Sequence, residues 1–371
     1  MRFQVKASPA VNFGSYSEAD VTFLLKDISA FVEEQDNDFR ERAIQGGRHY
    51  SEMLPIEYEP KEEYMNLFYS SLEKEKLKLA YGIAILSEKI LKAKGKRLVL
   101  VSLARAGTPI GILIKRYIKY AYDLDLPHYT ISIIKDKGID ENAIKYILEE
   151  HHKSAIQFID GWTGKGTIKA VLHEALLDFY NKYGIKLCDS LAVLADPAGI
   201  AQLYGLREDF LIPSACLNST VSGLVSRTMV RGDIINKEDF HGAKYYKGLE
   251  KADVSNIFLH KISENFQEVS IAAKNALIDW TSDDVQNLGV KDIAMIKKLY
   301  SIDNENFIKP GIGETTRVLL RRVPYKIIVR DKTAAKIKHI VLLAKDKGVP
   351  VEEAALKVYN CVGIIKNLKE L

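Results

Sequence analysis

A chain of 371 residues with 47% hydrophobic, 27% charged and 9% aromatic residues can bury large cores, and at ~150 residues per domain it should hold two or three domains. That composition excludes a one-core miniprotein, a disordered chain and a collagen-like chain. Net charge is +4, but residues 291–371 hold 17 Lys+Arg against 9 Asp+Glu, the balance of a polyanion-binding module or of a lysine-rich solvated surface.

Residues 1–60 read as an N-terminal extension or hood. The opening MRFQVKASPAVNFGSYSEAD lacks the charged-then-apolar layout of a signal peptide, and no apolar run approaches the ~20 residues of a membrane helix. A cytoplasmic location without a membrane partner is expected. Cys188, Cys216 and Cys361 are too far apart for a C-x-x-C pair or a disulfide framework, which fits a reducing compartment.

Helical spacing over 62–95 predicts one long or two short helices ended by Gly95. A strand at 97–103, the turn Ala104-Arg105-Ala106 and a helix at 107–122 start a βα unit. Strands at 129–134, 155–160 and 190–195 alternate with helices at 141–152 and 167–184. Such spacing needs crossovers, so the fold class is α/β, with a parallel sheet covered on both faces in a domain spanning 61–245. A helical connection over 246–290 leads to a smaller α/β domain over 291–371, with a strand at 325–331 and a helical stretch at 332–348.

Ligands of parallel sheets bind beyond the carboxyl ends of the strands, which here read ARAG, KDKG, DGWTGKGT and DPAG. The third predicts an anion site: glycines turn the backbone tightly, successive N–H groups and a helix start face the anion, and Thr163 and Thr167 add hydroxyls. A Walker loop is excluded, because the lysine precedes the second glycine of GKG. Asp160 can accept from ribose hydroxyls, and Arg105 can clamp pyrophosphate or be a surface arginine of a turn. His128 is an acid/base or a turn residue; Asp196 holds an acceptor or a metal-bound water, or starts a turn. Residues 212–229, IPSACLNSTVSGLVSRTM, are dense in hydroxyls and amides that suit a polar ligand.

The strand and loop over 155–167 and the turn SLARAGTPIG resemble the PRPP and pyrophosphate loops of phosphoribosyltransferases. LPHYTISIIKDKGID, FIDGWTGKGTI, LADPAG and SACLNSTVSGLVSRTM are similar to a subfamily of tellurium-resistance (Ter) stress-response gene clusters. That subfamily carries a carboxyl-terminal Pelota-like RNA-binding domain, and some of its members are labelled cysteine protease StiP. The resemblance implies Mg²⁺-dependent transfer of phosphoribose from PRPP to an unidentified base, towards a stress-response ribonucleoside. Arg105, Asp160 and Asp196 would be catalytic. Gly161, Thr163, Gly164, Lys165, Gly166 and Thr167 would hold the PRPP phosphate, and Arg105, Ala106, Gly107, Lys135 and Lys137 the pyrophosphate. The acceptor pocket would comprise His128, Tyr129, Cys216, Asn218, Ser219, Ser222 and Arg227. No metal ligand is assigned directly.

In KPGIGETTRVLLRR the same resemblance places structured RNA at Gly311, Glu314, Thr316, Arg317 and Arg321. Two alternatives stand beside the transferase: a non-catalytic PRPP- or nucleotide-sensing RNA-binding protein, and a cysteine hydrolase with Cys216 as nucleophile and His128 or His241 as base. A homo-oligomer is an expected assembly.

Overall fold

A computed structural model describes residues 3, 5–152, 154–278, 280–282 and 285–367, without the side chain of residue 37. Its main sheet has six parallel strands: β1 (Thr22–Phe23), β2 (Leu98–Leu103), β3 (His128–Ile131), β4 (Ala155–Trp162), β5 (Leu191–Ala195) and β6 (Leu203–Leu206), in the order β1-β3-β2-β4-β5-β6. β2 and β5 are buried along their whole length, because helices cover both faces.

The first helix, α1 (Asn37–Gln45), is capped by Asp36, whose carboxylate accepts from the Phe39 N–H. α2 (Glu62–Lys94) is one continuous helix, with Glu62 and Glu63 in its first turn, Lys92 and Lys94 in its last, and Gly95 ending it at φ +74°. It packs with α3 (Gly107–Tyr122) on one face of the sheet, and α4 (Glu141–Glu150) and α5 (Thr167–Tyr183) pack on the other. Gly107 is a packing residue: a Cβ there would lie 2.4 Å from the Ile159 carbonyl oxygen, so α3 can start against β4 only on glycine.

Two segments differ from the sequence reading. Residues 1–60 are not a separate hood, since Thr22–Phe23 adds the edge strand beside β3. Within 246–290, α6 (Ser255–Ser263) and α7 (Phe266–Asn275) bury Phe258, Leu259, Ile262, Phe266 and Val269 in the core shared with α2 and α3, so they belong to the larger domain.

After α8 (Val290–Leu299), the smaller domain is a sheet of β7 (Ile308–Pro310), β8 (Pro324–Val329), β9 (Val351–Glu353) and β10 (Cys361–Ile365), ordered β7-β10-β8-β9, with α9 (Ile312–Arg321) and α10 (Lys338–Asp346). α9 has no side-chain cap of its own. The larger domain supplies one: Asp209 accepts from the Ile312 N–H at 2.8 Å and from the Asn360 N–H at 2.7 Å, while the Asn360 amide donates to the Asp209 carbonyl at 2.8 Å. Asp209→Ala leaves two buried donors unpaired and should cost about 2–4 kcal/mol. Denaturant unfolding of the full chain measures this, and an unchanged midpoint would contradict the cross-domain cap.

Candidate functional site

The carboxyl ends of β2, β4 and β5 bring together the turns at 104–106, 161–167 and 196–201, and α9 lies across them. Trp162 Nε1 donates to Glu314 at 3.3 Å, the Arg317 guanidinium sits 4.3 Å from the Trp162 ring centre, and the Tyr359 hydroxyl donates to the Gly164 carbonyl at 3.0 Å. A Cβ on Gly164 would meet Pro310 and Glu314. The loop read as a phosphate cradle is therefore packed under the smaller domain.

Beneath α9 is a polar network built from both domains. Asn218 accepts from Arg105 and, at 2.8 Å, from Arg321, and it donates to Glu57. Glu57 also accepts from the Ser219 N–H at 2.9 Å and its hydroxyl at 2.8 Å; Arg105 donates to the Val225 carbonyl at 3.2 Å. Arg321 donates to the Leu217 carbonyl and, at 3.5 Å, to that of Ala215. Ser222 donates to the Asn218 carbonyl at 2.8 Å.

Burial pushes Asp160 up to about 7, against the Gly161 N–H and Arg317, which pull it down. Burial also pushes Glu314 up, but Arg317, Lys309 and the Trp162 N–H outweigh it and hold that carboxyl below its usual range. Burial and the neighbouring Arg317 and Arg105 lower Arg321 to about 9, leaving it cationic at neutral pH.

Arg105, Asp160, Asn218, Ser219, Arg317 and Arg321 thus converge, although they came from four separate sequence readings. The others fall elsewhere. Lys135, Lys137, Lys165, Gly166 and Thr167 line a cleft of about 830 Å³ closed from the smaller domain by Val290, Asn306 and Tyr359. Lys165 donates to the Glu305 carbonyl and Lys135 to Asn306 at 3.1 Å, so both lysines tie the domains together. Burial, then Lys309, lowers Lys165 to about 8. Ala106 packs against Gly161.

Asp196 is fully buried and spoken for: it accepts from Thr163, from the Ile200 and Ala201 N–H groups at 3.0 and 2.8 Å, and from Arg207. It shapes a loop and has no lone pair to spare for an acceptor. His128 sits at the amino end of β3, away from the turns. Its Nδ1 meets the Asp20 carbonyl at 2.8 Å and its Nε2 the Ser102 hydroxyl at 2.8 Å, and burial lowers it to about 4. Tyr129 faces His151 at 2.9 Å. Neither histidine offered as a base reaches a thiol, since His241 Nδ1 pairs with Ser132 at 2.8 Å.

The smaller domain's candidates point inward. Gly311 occupies the N-cap position of α9, and Thr316 is buried, donating to the Ile312 carbonyl at 2.8 Å with His339 Nε2 3.3 Å away. Sequence reasoning missed Glu57 and Asp209. Glu57 lies in the segment set aside as an extension, where no strand-end or glycine pattern marks it.

Residues 14–263 match the family described as "Tellurite-like stress resistance cysteine protease StiP", and residues 287–367 match the PELOTA RNA binding domain. The chain is also 34% identical, over 369 residues covering 96% of it and 94% of the relative, to "Cysteine protease StiP" of Acinetobacter baylyi. The chain belongs to the StiP family. It carries a Pelota domain at its carboxyl end, as the resemblance implied.

Two solved structures match part of the chain at low similarity. A hypothetical protein from Neisseria gonorrhoeae with bound ppGpp is 17% identical, with a TM-score of 0.23, over 32% of this chain and 66% of that one. The Helicobacter pylori xanthine-guanine-hypoxanthine phosphoribosyltransferase is 22% identical, with a TM-score of 0.22, over 34% and 72%.

The StiP match corrects the transferase expectation. Family and relative are named as cysteine proteases, hydrolases, and the PRPP transfer expected from the loops goes with that expectation. Among the described residues, no three His, Cys, Asp or Glu side chains are grouped so that they could hold a metal ion. Nor, among the described residues, is any helix long and apolar enough to cross a membrane.

Because Asp160 is raised from 3.8 to about 7, its folded form holds the proton more tightly than the unfolded chain does. Its contribution to stability is full below about pH 4 and is lost as pH rises through about 7. Asp160→Asn should therefore lose less stability than the parent between pH 5 and pH 8, as read by denaturant midpoints at both pH values; parallel losses would contradict the shift.

Proposed function

We propose that this chain is a thiol hydrolase of the StiP family that binds structured RNA through its Pelota domain, and that the conformation described above is its closed form. The observation that carries the reading is the position of Arg321. This residue of the Pelota domain's α9 grips the backbone on either side of Cys216, at Ala215 and Leu217, and the neighbouring Asn218. The thiol that the hydrolase needs is thus held by the domain that recognises RNA.

Cys216 is the cysteine best placed for this role. Cys361 is buried in β10, and Cys188 is exposed on the surface, where the Lys94 ammonium donates to it at 2.9 Å. Cys216 borders the network of Arg105, Asn218 and Arg321, groups able to bind a polar substrate. At 2% exposure its thiol is pushed up to about 12 by burial, opposed by Ser71 and Arg321. A thiol at that value is protonated and unreactive at neutral pH. Hydrolysis therefore requires the 213–221 segment to part from α9.

RNA binding supplies a cause for that parting. The Pelota domain is basic, and a phosphate backbone competes for the guanidiniums of Arg317 and Arg321 that otherwise serve the interface. Two measurements on the full chain test the reading. A structured RNA should bind with an affinity that falls as salt rises, and its presence should speed alkylation of Cys216 by iodoacetamide at least ~10-fold, mapped by mass spectrometry. Cys216→Ser should abolish any peptide hydrolysis while leaving RNA affinity unchanged. Salt-independent or absent RNA binding removes the RNA part, and hydrolysis that survives Cys216→Ser removes the thiol part.

A further inference from the structure

The cleft of about 830 Å³ between the domains shares no lining residue with the network around Cys216, and its volume falls within the about 300–1,000 Å³ of ligand sites. One wall is a continuous face of α5, on which Thr167, Ala170, Val171, Glu174, Ala175 and Asp178 recur at helical spacing. The facing wall is α8, with Val290, Ile293 and Ala294. Hydrogen bonds between the domains frame the gap. The Gln286 and Asn287 N–H groups donate to the Gly199 carbonyl at 2.8 and 3.1 Å, and the Leu288 N–H donates to the Ala198 carbonyl at 2.7 Å. On the other side Lys135 reaches Asn306 at 3.1 Å, and Lys165 reaches the Glu305 carbonyl.

Charge is sorted along this cleft. Lys165 lies two residues before α5, and Lys135 ends beside it, since their acceptors are neighbours in the chain. Each ammonium has three donors, so each keeps some beyond these contacts. Glu174 and Asp178 lie further along α5, about 10 and 16 Å beyond Thr167 at 1.5 Å per residue. Both are exposed, and among the described residues neither side chain has a hydrogen bond or an ion pair. Between the two ends the floor is apolar, formed by Val171, Ile200, Ile293 and Val290, the last 63% exposed.

A polyanion does not suit such walls. Asp136, Glu174, Asp178 and Glu305 line the cleft against Lys135, Lys137 and Lys165, so a phosphate chain running its length would meet more carboxylates than ammoniums. What the walls complement is a chain with opposite charges at its ends and an apolar group between them. Extended backbone at about 3.3 Å per residue covers about 16 Å in about five residues.

We propose that the cleft between α5 and α8 docks an extended segment of another polypeptide, with an acidic side chain at Lys135 and Lys165, an apolar one on the floor, and a basic one at Glu174 and Asp178. Main-chain groups and alternate side chains of an extended peptide supply affinity and specificity in such grooves. Because the StiP and Pelota domains each provide a wall, the occupant ties them together. The proposal goes beyond the hydrolase reading and does not rest on it.

Fluorescence anisotropy of a dye-labelled peptide, with Glu at one end, Leu at the centre, Arg at the other end and Ala between, tests the proposal. The full chain carries Cys216→Ser, so cleavage does not disturb the reading, and the peptide is made in both chain directions. One direction should bind at least ~10-fold more tightly than its control with Glu at both ends. Glu174→Lys combined with Asp178→Lys should reverse that preference, which a loss of packing does not do. Both positions are exposed, so the double variant should fold; Val290→Asp, also exposed, should weaken both peptides. Equal binding of the two peptides, or a preference unmoved by the charge reversal, overturns the proposal. So does a single-stranded RNA that binds more tightly than either peptide and is weakened by Val290→Asp, which would give the cleft to a nucleic acid.

Discussion

The carboxylate of Asp209 is the constraint from which the arrangement of the two domains follows. A helix start leaves N–H groups without partners, and α9 begins at Gly311 with φ +90° and no cap from its own chain neighbours. Asp209, from the other domain, caps Ile312 and also ties down Asn360. Burial raises Asp209 to about 6 despite those donors. Apolar packing continues through the junction, with Ile312 and Leu319 in the same core as Phe210, Leu211 and Cys216. Once α9 is fixed there, Glu314, Arg317 and Arg321 have nowhere to go but onto Trp162, Asn218 and the loop around Cys216.

That docking changes the meaning of the glycine-rich loop after β4. Read alone, it offers open amides and a helix start to an anion. In the folded chain Pro310, Glu314 and Tyr359 occupy the space above Gly164, and Lys165 reaches the Glu305 carbonyl. Gly164 and Lys165 thus take part in the interface, while Lys165, Gly166 and Thr167 line the cleft between the domains. The StiP family match takes the transferase away from this edge by naming hydrolases.

Charge is distributed unequally across the junction. Where a carboxylate was available it was used, as Glu314 with Arg317 and Glu41 with Arg322. At Arg321 neutral acceptors take the guanidinium instead: the Asn218 amide oxygen and the Ala215 and Leu217 carbonyls. Hydrogen bonds to neutral acceptors are weaker than those to a carboxylate, so that contact is held less tightly than the paired arginines.

Periodicity was enough to locate most of the larger domain. The helix at 107–122 has the expected limits, those at 62–94 and 167–183 end within a residue of them, and β2, β4 and β5 start within a residue, because fully apolar runs between glycine-rich turns leave few other readings. The basic Pelota module was legible for a similar reason, as local charge and motif. The edge strand at Thr22–Phe23 was not, since two residues carry no period. Nor was the site: Glu57 and Asp209 acquire their roles only when segments far apart in the chain are folded together. Local sequence dictates which residues can form a helix, a strand or a turn. It does not dictate which distant partner will neutralise a given charge, and here that choice, made by the seating of α9 on the sheet, decides which groups are free to act.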